Sequence, residues 1–412
     1  MKLIAGMDIG NGYVKASVKG QQMTNIDIPS CMVEVVTNDY DIKPDSAEAI
    51  ASVMEKIYDD MDLSFESALI PEQGRFWFGR RAVRSDRTPQ EFDINAVQKK
   101  FRQSLTTMLT FGCLAAKALD EYWQENKALP NAPLQVEVYA ALALPISEYK
   151  RYHEEFATKY MTGVHLVHVH NFAAPIDVML KFVNVKTTAE GASAQYGIAS
   201  HGEALVKAML ADVRSHGIPL EGYEPKHIIN ARGIMGVDIG EGTVNFPVFT
   251  DGRFNTDVSA TLPKGYGEVI DRALSKLRDD GRAFNSRKEL TEYLNNTKFS
   301  ELPLVRQREY KKIVSVVDAE ITGFVGEVTT KFAQIISRVG TQLDVIYVYG
   351  GGATPVKNEL YDRMLDKVRA VSGGEVSIPV LYLDSWYSRY LNREGLFALA
   401  ETALSDVESA KA

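Results

Sequence analysis

Apolar positions in this chain follow two periods. Ile321, Phe324, Val325, Val328, Phe332, Ile335, Ile336 and Val339 recur at the spacing of one helix face. Leu105, Met108, Leu109, Gly112, Ala116 and Leu119 do the same, expected as core packing, as do Val269, Ile270, Ala273, Leu274 and Leu277. Val345-Ile346-Tyr347-Val348-Tyr349 is a continuous run rich in β-branched and aromatic residues, expected as a buried strand. Two shorter runs, Leu3-Ile4-Ala5 and Ile234-Met235-Gly236-Val237, lead into glycine turns followed by alternating apolar residues. Each predicts a β-hairpin. Helices interleaved with strands predict an α/β architecture.

The two hairpin segments repeat one another. Residues 7–18 read MDIGNGYVKASV and residues 237–248 read VDIGEGTVNFPV. Asp8 matches Asp238, Ile9 Ile239, Gly10 Gly240, Gly12 Gly242, Val14 Val244 and Val18 Val248, without gaps. Glycines in such a turn are expected to adopt positive φ and bring backbone N–H groups close to a ligand. Successive N–H groups then form an anion-binding concavity. An aspartate at the strand end repels a phosphate directly but can hold hydrated Mg²⁺ against it. A single such hairpin is often a plain turn; two in register, one per half of the chain, point to a phosphate gripped twice.

A third glycine element, Gly350-Gly351-Gly352-Ala353, follows the strand-like run ending at Tyr349. Helix, buried strand, then glycines is how an α/β sheet presents a nucleotide at its carboxyl edge. Glycines there are expected to let a base or ribose lie against backbone.

Charge and composition narrow the classes. The net charge is -8 over 412 residues, which disfavours a general nucleic-acid surface. Arg75, Arg80, Arg81, Arg84 and Arg87 form a local basic run, expected as a solvated loop or helix face, with a polymer or adaptor contact as the other reading. The two cysteines, Cys31 and Cys113, lack metal-ligand spacing and exclude a disulfide framework, so a reducing compartment is expected. The start Met1-Lys2-Leu3-Ile4-Ala5 lacks a signal-peptide core, and the acidic segment from Glu401 to Ala412 does not read as a membrane anchor. No apolar run reaches transmembrane length. His165, His168 and His170 place two histidines on one face of a strand and one on the other, expected as an ordinary edge strand and not a zinc site.

The three glycine elements in this order resemble the actin-like ATPase superfamily, which includes actin, the DnaK-type chaperones, sugar kinases and bacterial actins. Within it the chain is similar to the plasmid-segregating actins of the ParM/StbA type. Ala141-Leu142-Ala143-Leu144-Pro145-Ile146-Ser147 and Phe76-Trp77-Phe78-Gly79 are similar to stretches of that bacterial group. The resemblance implies a duplicated, ribonuclease H-like two-domain fold with a nucleotide cleft between the domains. It implies a first domain over 1–188 plus 394–412 and a second over 189–393, with a helical insert at about 266–330. Lys264-Gly265-Tyr266-Gly267-Glu268 would be its entrance. The two hinges would be Thr188–Ala194 and Glu394–Ala398.

Carried over residue by residue, the first phosphate loop falls on Asp8, Gly10, Asn11, Gly12 and Tyr13, with the phosphate-contacting lysine at Lys15. The second falls on Asp238, Gly240, Glu241, Gly242, Thr243 and Asn245. Actin has a histidine where this chain has Asn245, which can orient water but accepts no proton. Gly350, Gly351, Gly352 and Ala353 match the adenosine motif. Glu190 and Asp238 would orient the attacking water, and Asp8 and Asp238 would hold Mg²⁺ through water. The implied cofactors are ATP or GTP with Mg²⁺. The implied activity is a cytoplasmic ATPase polymerising with itself into dynamic filaments and tied to DNA through an adaptor protein, with no direct nucleic-acid or membrane contact. The alternatives on the same fold are a small-molecule kinase and a chaperone- or divisome-type ATPase.

Overall fold

The computed structural model describes all residues except 37–42, 94–98, 216–221, 283, 285, 374–377, 384 and 412. The chain divides into two compact units, residues 1–201 with 390–412 and residues 202–389.

The first unit is built on one sheet. Its described strands are β1 (Lys2–Ile9), β2 (Tyr13–Lys19), β3 (Met23–Pro29), β4 (Cys31–Glu34), β5 (Asp62–Glu66), β6 (Arg75–Phe78), β7 (Gln90–Glu91), β8 (Leu134–Leu144), β9 (His165–Val169) and β10 (Ile176–Ala189). Their spatial order is β3-β2-β1-β8-β10-β9-β5-β6-β4-β7. β1, β2 and β3 run as an antiparallel meander, while β1, β8 and β10 are parallel. Helices α1 (Ala47–Met54), α2 (Gly79–Arg84), α3 (Ser104–Asn126) and α4 (Ile146–Tyr160) accompany the sheet. α3 is buried from Leu105 to Leu119, with Met108, Leu109, Phe111 and Leu114 in the core of this unit. A fifth helix, α5 (Ala194–Ser215), leaves this unit and is broken at Gly202, whose φ of 63° is closed to most side chains.

Buried charge in this unit is paired. Lys117 on α3 bridges Glu121 one turn on and donates to the Thr24 hydroxyl. Glu121 in turn accepts the N–H groups of Gln21 and Gln22, fixing the β2–β3 turn. Burial works to raise the Glu121 carboxyl, but the Lys117 hydrogen bond and the two N–H groups outweigh it and hold it below its ordinary value. A lowered carboxylate contributes stability that is present above pH 4.5 and is lost as pH falls through the folded-state value. Glu121→Ala leaves the Lys117 ammonium buried and unpaired. It is expected to cost about 3 kcal/mol, read as a lower midpoint in urea, and to flatten the acid limb of stability against pH.

The arginine run has a structural role that the sequence did not suggest. Asp62, fully buried at the start of β5, takes both guanidinium forks of Arg75 at 2.5 Å and lies near Arg81 and Lys43. Arg80 pairs with Asp59 and Arg84 with Asp60. Arg81 and Arg87 also stack on Trp77. The histidine strand, β9, is not an edge strand: it lies between β10 and β5. His165 is buried, stacked on Phe111 and hydrogen-bonded to Ser67 and the Tyr160 carbonyl. His168 bonds Asp177 and Glu66, and His170 bonds Ser64. No group of metal-ligating side chains is found among the described residues. Cys31 and Cys113 are both buried, and burial pushes each thiol up to about 12, with Glu91 adding to the effect at Cys31.

The second unit repeats the first on a smaller scale. Its described strands are β11 (Ile234–Ile239), β12 (Val244–Phe246), β13 (Val248–Thr250), β14 (Arg253–Phe254), β15 (Ala260–Leu262), β16 (Val345–Tyr349) and β17 (Val380–Tyr382). β12 and β13 keep one register against β11 and are parted by Pro247, which has no N–H for the ladder. Gly236 donates to the Pro247 carbonyl at 2.8 Å. A Cβ at Gly236 would lie 2.3 Å from the Tyr349 hydroxyl and 2.8 Å from the Pro247 ring. β11, β16 and β17 are parallel, as β1, β8 and β10 are in the first unit. The helices are α6 (Pro225–Ile229), α7 (Tyr266–Asp279), α8 (Arg287–Asn296), α9 (Leu304–Val339), α10 (Ala353–Val371) and the start of α11 (Ser385–Lys411). α7, α8 and α9 share a small core of their own, including Ile270, Leu274, Leu277, Leu290 and Ile313.

From Tyr390 onward α11 lies in the first unit and packs backbone to backbone. A Cβ on Gly6 of β1 would sit 2.1 Å from the Phe397 amide nitrogen, and one on Gly395 would sit 1.7 Å from the Ser193 carbonyl oxygen. Leu396 and Ala400 bury against Ala141 on β8. No described helix is long and apolar enough to cross a membrane.

Candidate functional site

The two hairpins coincide in geometry. In the first, Asp8 lies opposite Lys15 and Gly10 N–H closes the turn on the Tyr13 carbonyl at 3.0 Å. In the second, Asp238 lies opposite Asn245 and Gly240 N–H closes on the Thr243 carbonyl at 2.9 Å. The glycines serve proximity and not left-handed backbone: none of Gly10, Gly12, Gly240 or Gly242 has positive φ. A Cβ at Gly10 would meet the Tyr13 carbonyl oxygen at 2.7 Å, and one at Gly240 would meet that of Thr243 at 3.1 Å.

Both turns have their carbonyls tied back. Ser30 donates its hydroxyl to the Gly10 carbonyl (2.7 Å) and its N–H to that of Gly12 (2.9 Å). In the second turn the first N–H groups of α7 do this: Tyr266 to the Gly240 carbonyl (3.0 Å) and Gly267 to that of Glu241 (2.8 Å). Among the described residues, the backbone N–H groups of Asn11, Gly12, Glu241, Gly242 and Thr243 donate no hydrogen bond. A loop with its acceptors committed and its donors free can take an anion. The Glu241 side chain turns to Arg287 at 3.3 Å, which keeps its carboxylate engaged away from the turn.

Four charges meet at the first hairpin. Glu190, buried just past the end of β10, takes the Lys100 ammonium at 2.7 Å, and its N–H donates to the Leu144 carbonyl. Asp8 feels Lys15, Glu190 and Lys100. Burial raises the Asp8 carboxyl; Lys15 opposes the rise, Glu190 adds to it and Lys100 opposes it. A carboxylate whose charged form is disfavoured in the free protein would be relieved by a cation, and a carboxylate oxygen set suits Mg²⁺ held through water. Asp8→Asn is expected to give a small rise in Tm of the free protein, because a raised carboxyl costs stability as pH climbs above 3.8. The same change is expected to weaken Mg-nucleotide binding, read by titration with a fluorescent nucleotide.

In the second unit the glycine run docks directly on the second hairpin. Gly352 N–H donates to the Ile239 carbonyl at 2.8 Å. Gly350 has φ 98°, and a Cβ there would meet the Ile239 carbonyl oxygen at 2.4 Å and Asp238 Oδ1 at 2.6 Å. Gly352 fits against Tyr266. These glycines are required by β11 and α7 as well as by any ligand. Gly352 caps α10, which begins at Ala353. Asp238 is buried, opposite Asn245 on one side and Tyr349 on the other. Asn245 is held by Thr243 and Thr261.

The first unit thus brings together Asp8, Lys15 and Glu190. The second brings together Asp238, Asn245, Gly350, Gly351, Gly352 and Ala353. Lys100 and Ser30 belong to the first cluster and were missed, since each lies outside the repeated motif; Ser30 sits where no periodic signal marks it.

Residues 6–192 match the model of the N-terminal domain of actin-like proteins. No curated protein matches the chain. Solved structures do. ParM of Bacillus thuringiensis with AMPPNP is 15% identical, with 97% of this chain and 99% of that chain covered and a TM-score of 0.59. The pSK41 ParM protein in apo form is 16% identical over 99% of both chains, with a TM-score of 0.58. The actin-like protein Alp7A is 14% identical over 100% of this chain and 99% of that one, with a TM-score of 0.64. The chain has the actin-like fold of these structures.

Proposed function

We propose that this actin-like chain is an ATPase that assembles into dynamic filaments with Mg-ATP and disassembles after hydrolysis, serving to segregate DNA through an adaptor protein. The observation that carries the reading is the pair of hairpins with equal register, equal closing bond and uncommitted N–H groups. The fold shared with ParM and Alp7A supports it, and the ParM structures with AMPPNP, ATP and ADP support an adenine nucleotide.

In this reading each hairpin is a phosphate loop. The N–H groups around Gly10–Tyr13 and Gly240–Thr243 hold phosphate oxygens, and Lys15 offsets their charge. Asp8 and Asp238 would hold Mg²⁺, which would neutralise charge on the phosphates. Glu190, with help from Asp238, orients the attacking water, which Asn245 can also orient. Phosphoryl transfer depends mainly on positioning and charge stabilisation, so the rate is set by how firmly these side chains are held. Gly350–Ala353 lie against the adenosine. The domains of this reading are 1–188 with 394–412 and 189–393.

The test is right-angle light scattering of the purified chain with Mg-ATP. The reading expects a rise above a critical concentration, followed by decay as phosphate is released. Flat scattering with ATP consumption that depends on an added sugar would replace the filament ATPase with a small-molecule kinase.

A further inference from the structure

The short turn Lys100–Arg102 is gripped from several sides. Glu148, buried in the first turn of α4, accepts the Lys100 N–H on one carboxylate oxygen (3.0 Å) and the Phe101 N–H on the other (3.1 Å). Lys159, in the last turn of the same helix, donates to the Phe101 carbonyl at 2.6 Å. The Thr106 hydroxyl donates to the Lys100 carbonyl at 2.8 Å. Phe101 is buried against Tyr152 and Phe156, with ring centroids 4.8 and 6.2 Å away. The Lys159 ammonium itself lies 4.9 Å from the Phe156 ring, 5.0 Å from Tyr160 and 5.8 Å from Phe101. Burying a carboxylate and enclosing an ammonium costs free energy unless hydrogen bonds offset it, and here the backbone of the turn supplies those bonds. What the turn holds out is the Lys100 ammonium, 2.7 Å from Glu190.

We propose that Glu148 and Lys159 are positioning residues for hydrolysis, acting through the turn Lys100–Arg102 and the Lys100–Glu190 ion pair. The proposal rests on the role given to Glu190 above. The two ends of α4 clamp the backbone donors and the backbone acceptor of the turn, so the register of Lys100 follows the helix. Lys100 passes that register to Glu190. Both clamps bond the backbone of the turn and neither belongs to a phosphate loop, so loosening one is expected to move the rate and not the binding.

The charged and titratable groups facing Lys159 are Glu155 and Tyr160 on its own helix and Arg102 on the turn. Burial pushes the ammonium down to about 8; Glu155 opposes this and Arg102 assists it. As pH rises through that value the bond to the Phe101 carbonyl loses its charge. The unfolded chain binds more protons there than the folded one, so the fold gains stability over the same range. A loss of rate without a loss of Tm is therefore the signature.

The experiment is steady-state ATP hydrolysis from pH 6.5 to 9.5, with Tm at each pH, on wild type, Glu148→Gln, Lys159→Met and Lys159→Arg. Wild-type kcat is expected to fall on the alkaline side near pH 8 while Tm does not. Lys159→Arg, charged throughout, is expected to lose that limb. Glu148→Gln and Lys159→Met are expected to lower kcat about tenfold with KM within about twofold. An alkaline limb that persists in Lys159→Arg, or normal kcat in both other variants, overturns the proposal. A wild-type chain that hydrolyses no ATP overturns the function proposed above instead. The clamp is then read from amide exchange: protection of the Lys100 and Phe101 N–H groups lost in Glu148→Gln supports it, and no protection in wild type overturns it.

Discussion

Asp238→Ala is expected to leave adenine-nucleotide binding weak but measurable and to cut ATP hydrolysis by about 10²–10³-fold. The carboxylate is buried in β11, opposite Asn245 and Tyr349 and against Gly350. The bond that closes its hairpin runs between Gly240 and Thr243 and does not involve the side chain. The tethers on the turn carbonyls come from Tyr266 and Gly267, which the substitution also leaves alone. The bond that closes the turn and the tethers on its carbonyls therefore remain, and the charge that would hold Mg²⁺ and order the water is lost. Phosphate release and a fluorescent-nucleotide titration separate the two effects. Turnover within a few-fold of wild type would sink the role given to Asp238, and loss of all binding would mean that the hairpin itself had collapsed.

A large effect on stability is expected at Gly395. A methyl there would lie 1.7 Å from the Ser193 carbonyl oxygen and 3.1 Å from the Gly197 amide nitrogen. Both obstacles are backbone, so no rotamer change relieves the overlap; α11 or the start of α5 must shift. Gly197 meets the same helix from the other side, where a Cβ would lie 2.7 Å from the Leu391 carbonyl oxygen. Overpacking of this kind costs about 3 kcal/mol or more. Gly395→Ala is expected to lower Tm by roughly 6–12 °C in a unit of this size. Thermal melts followed by circular dichroism check it, and a Tm unchanged in the variant would mean that the two helices do not approach so closely.

The two hairpins were legible because their information is local. Identity and spacing of Asp, Gly and Gly fix the strand end, the turn and the register within a dozen residues, and the structure reproduces the register in both copies. The parallel strand β16 and the long helix α9 were legible for the same reason, since an uninterrupted run and a sustained helical stripe need no distant partner. The expectation of positive φ at the hairpin glycines failed because glycine signals two needs alike: a left-handed backbone, and room for a neighbour. At Gly10 the neighbour is the Tyr13 carbonyl. Lys100 was out of reach: it meets Glu190 from 90 positions away and carries no periodic signal. Arg80 and Arg84 lie exposed on α2, as expected of a solvated helix face, but the ion pairs of the run were not legible, because its counter-ions, Asp59, Asp60 and Asp62, precede it and are brought back by the pairing of β5 with β6. The histidine strand misled because β5 covers its outer side, a pairing that no local pattern announces.

The buried thiols bear on how assembly can be watched. Cys31 and Cys113 are shielded by the core and almost wholly protonated at neutral pH, so neither offers a thiolate to an alkylating reagent. A cysteine placed on an exposed helix would be the sole reactive one in a folded chain. The protein therefore accepts a maleimide dye at one chosen position without prior removal of its native cysteines, and the assembly proposed above can be tested for directly under a fluorescence microscope.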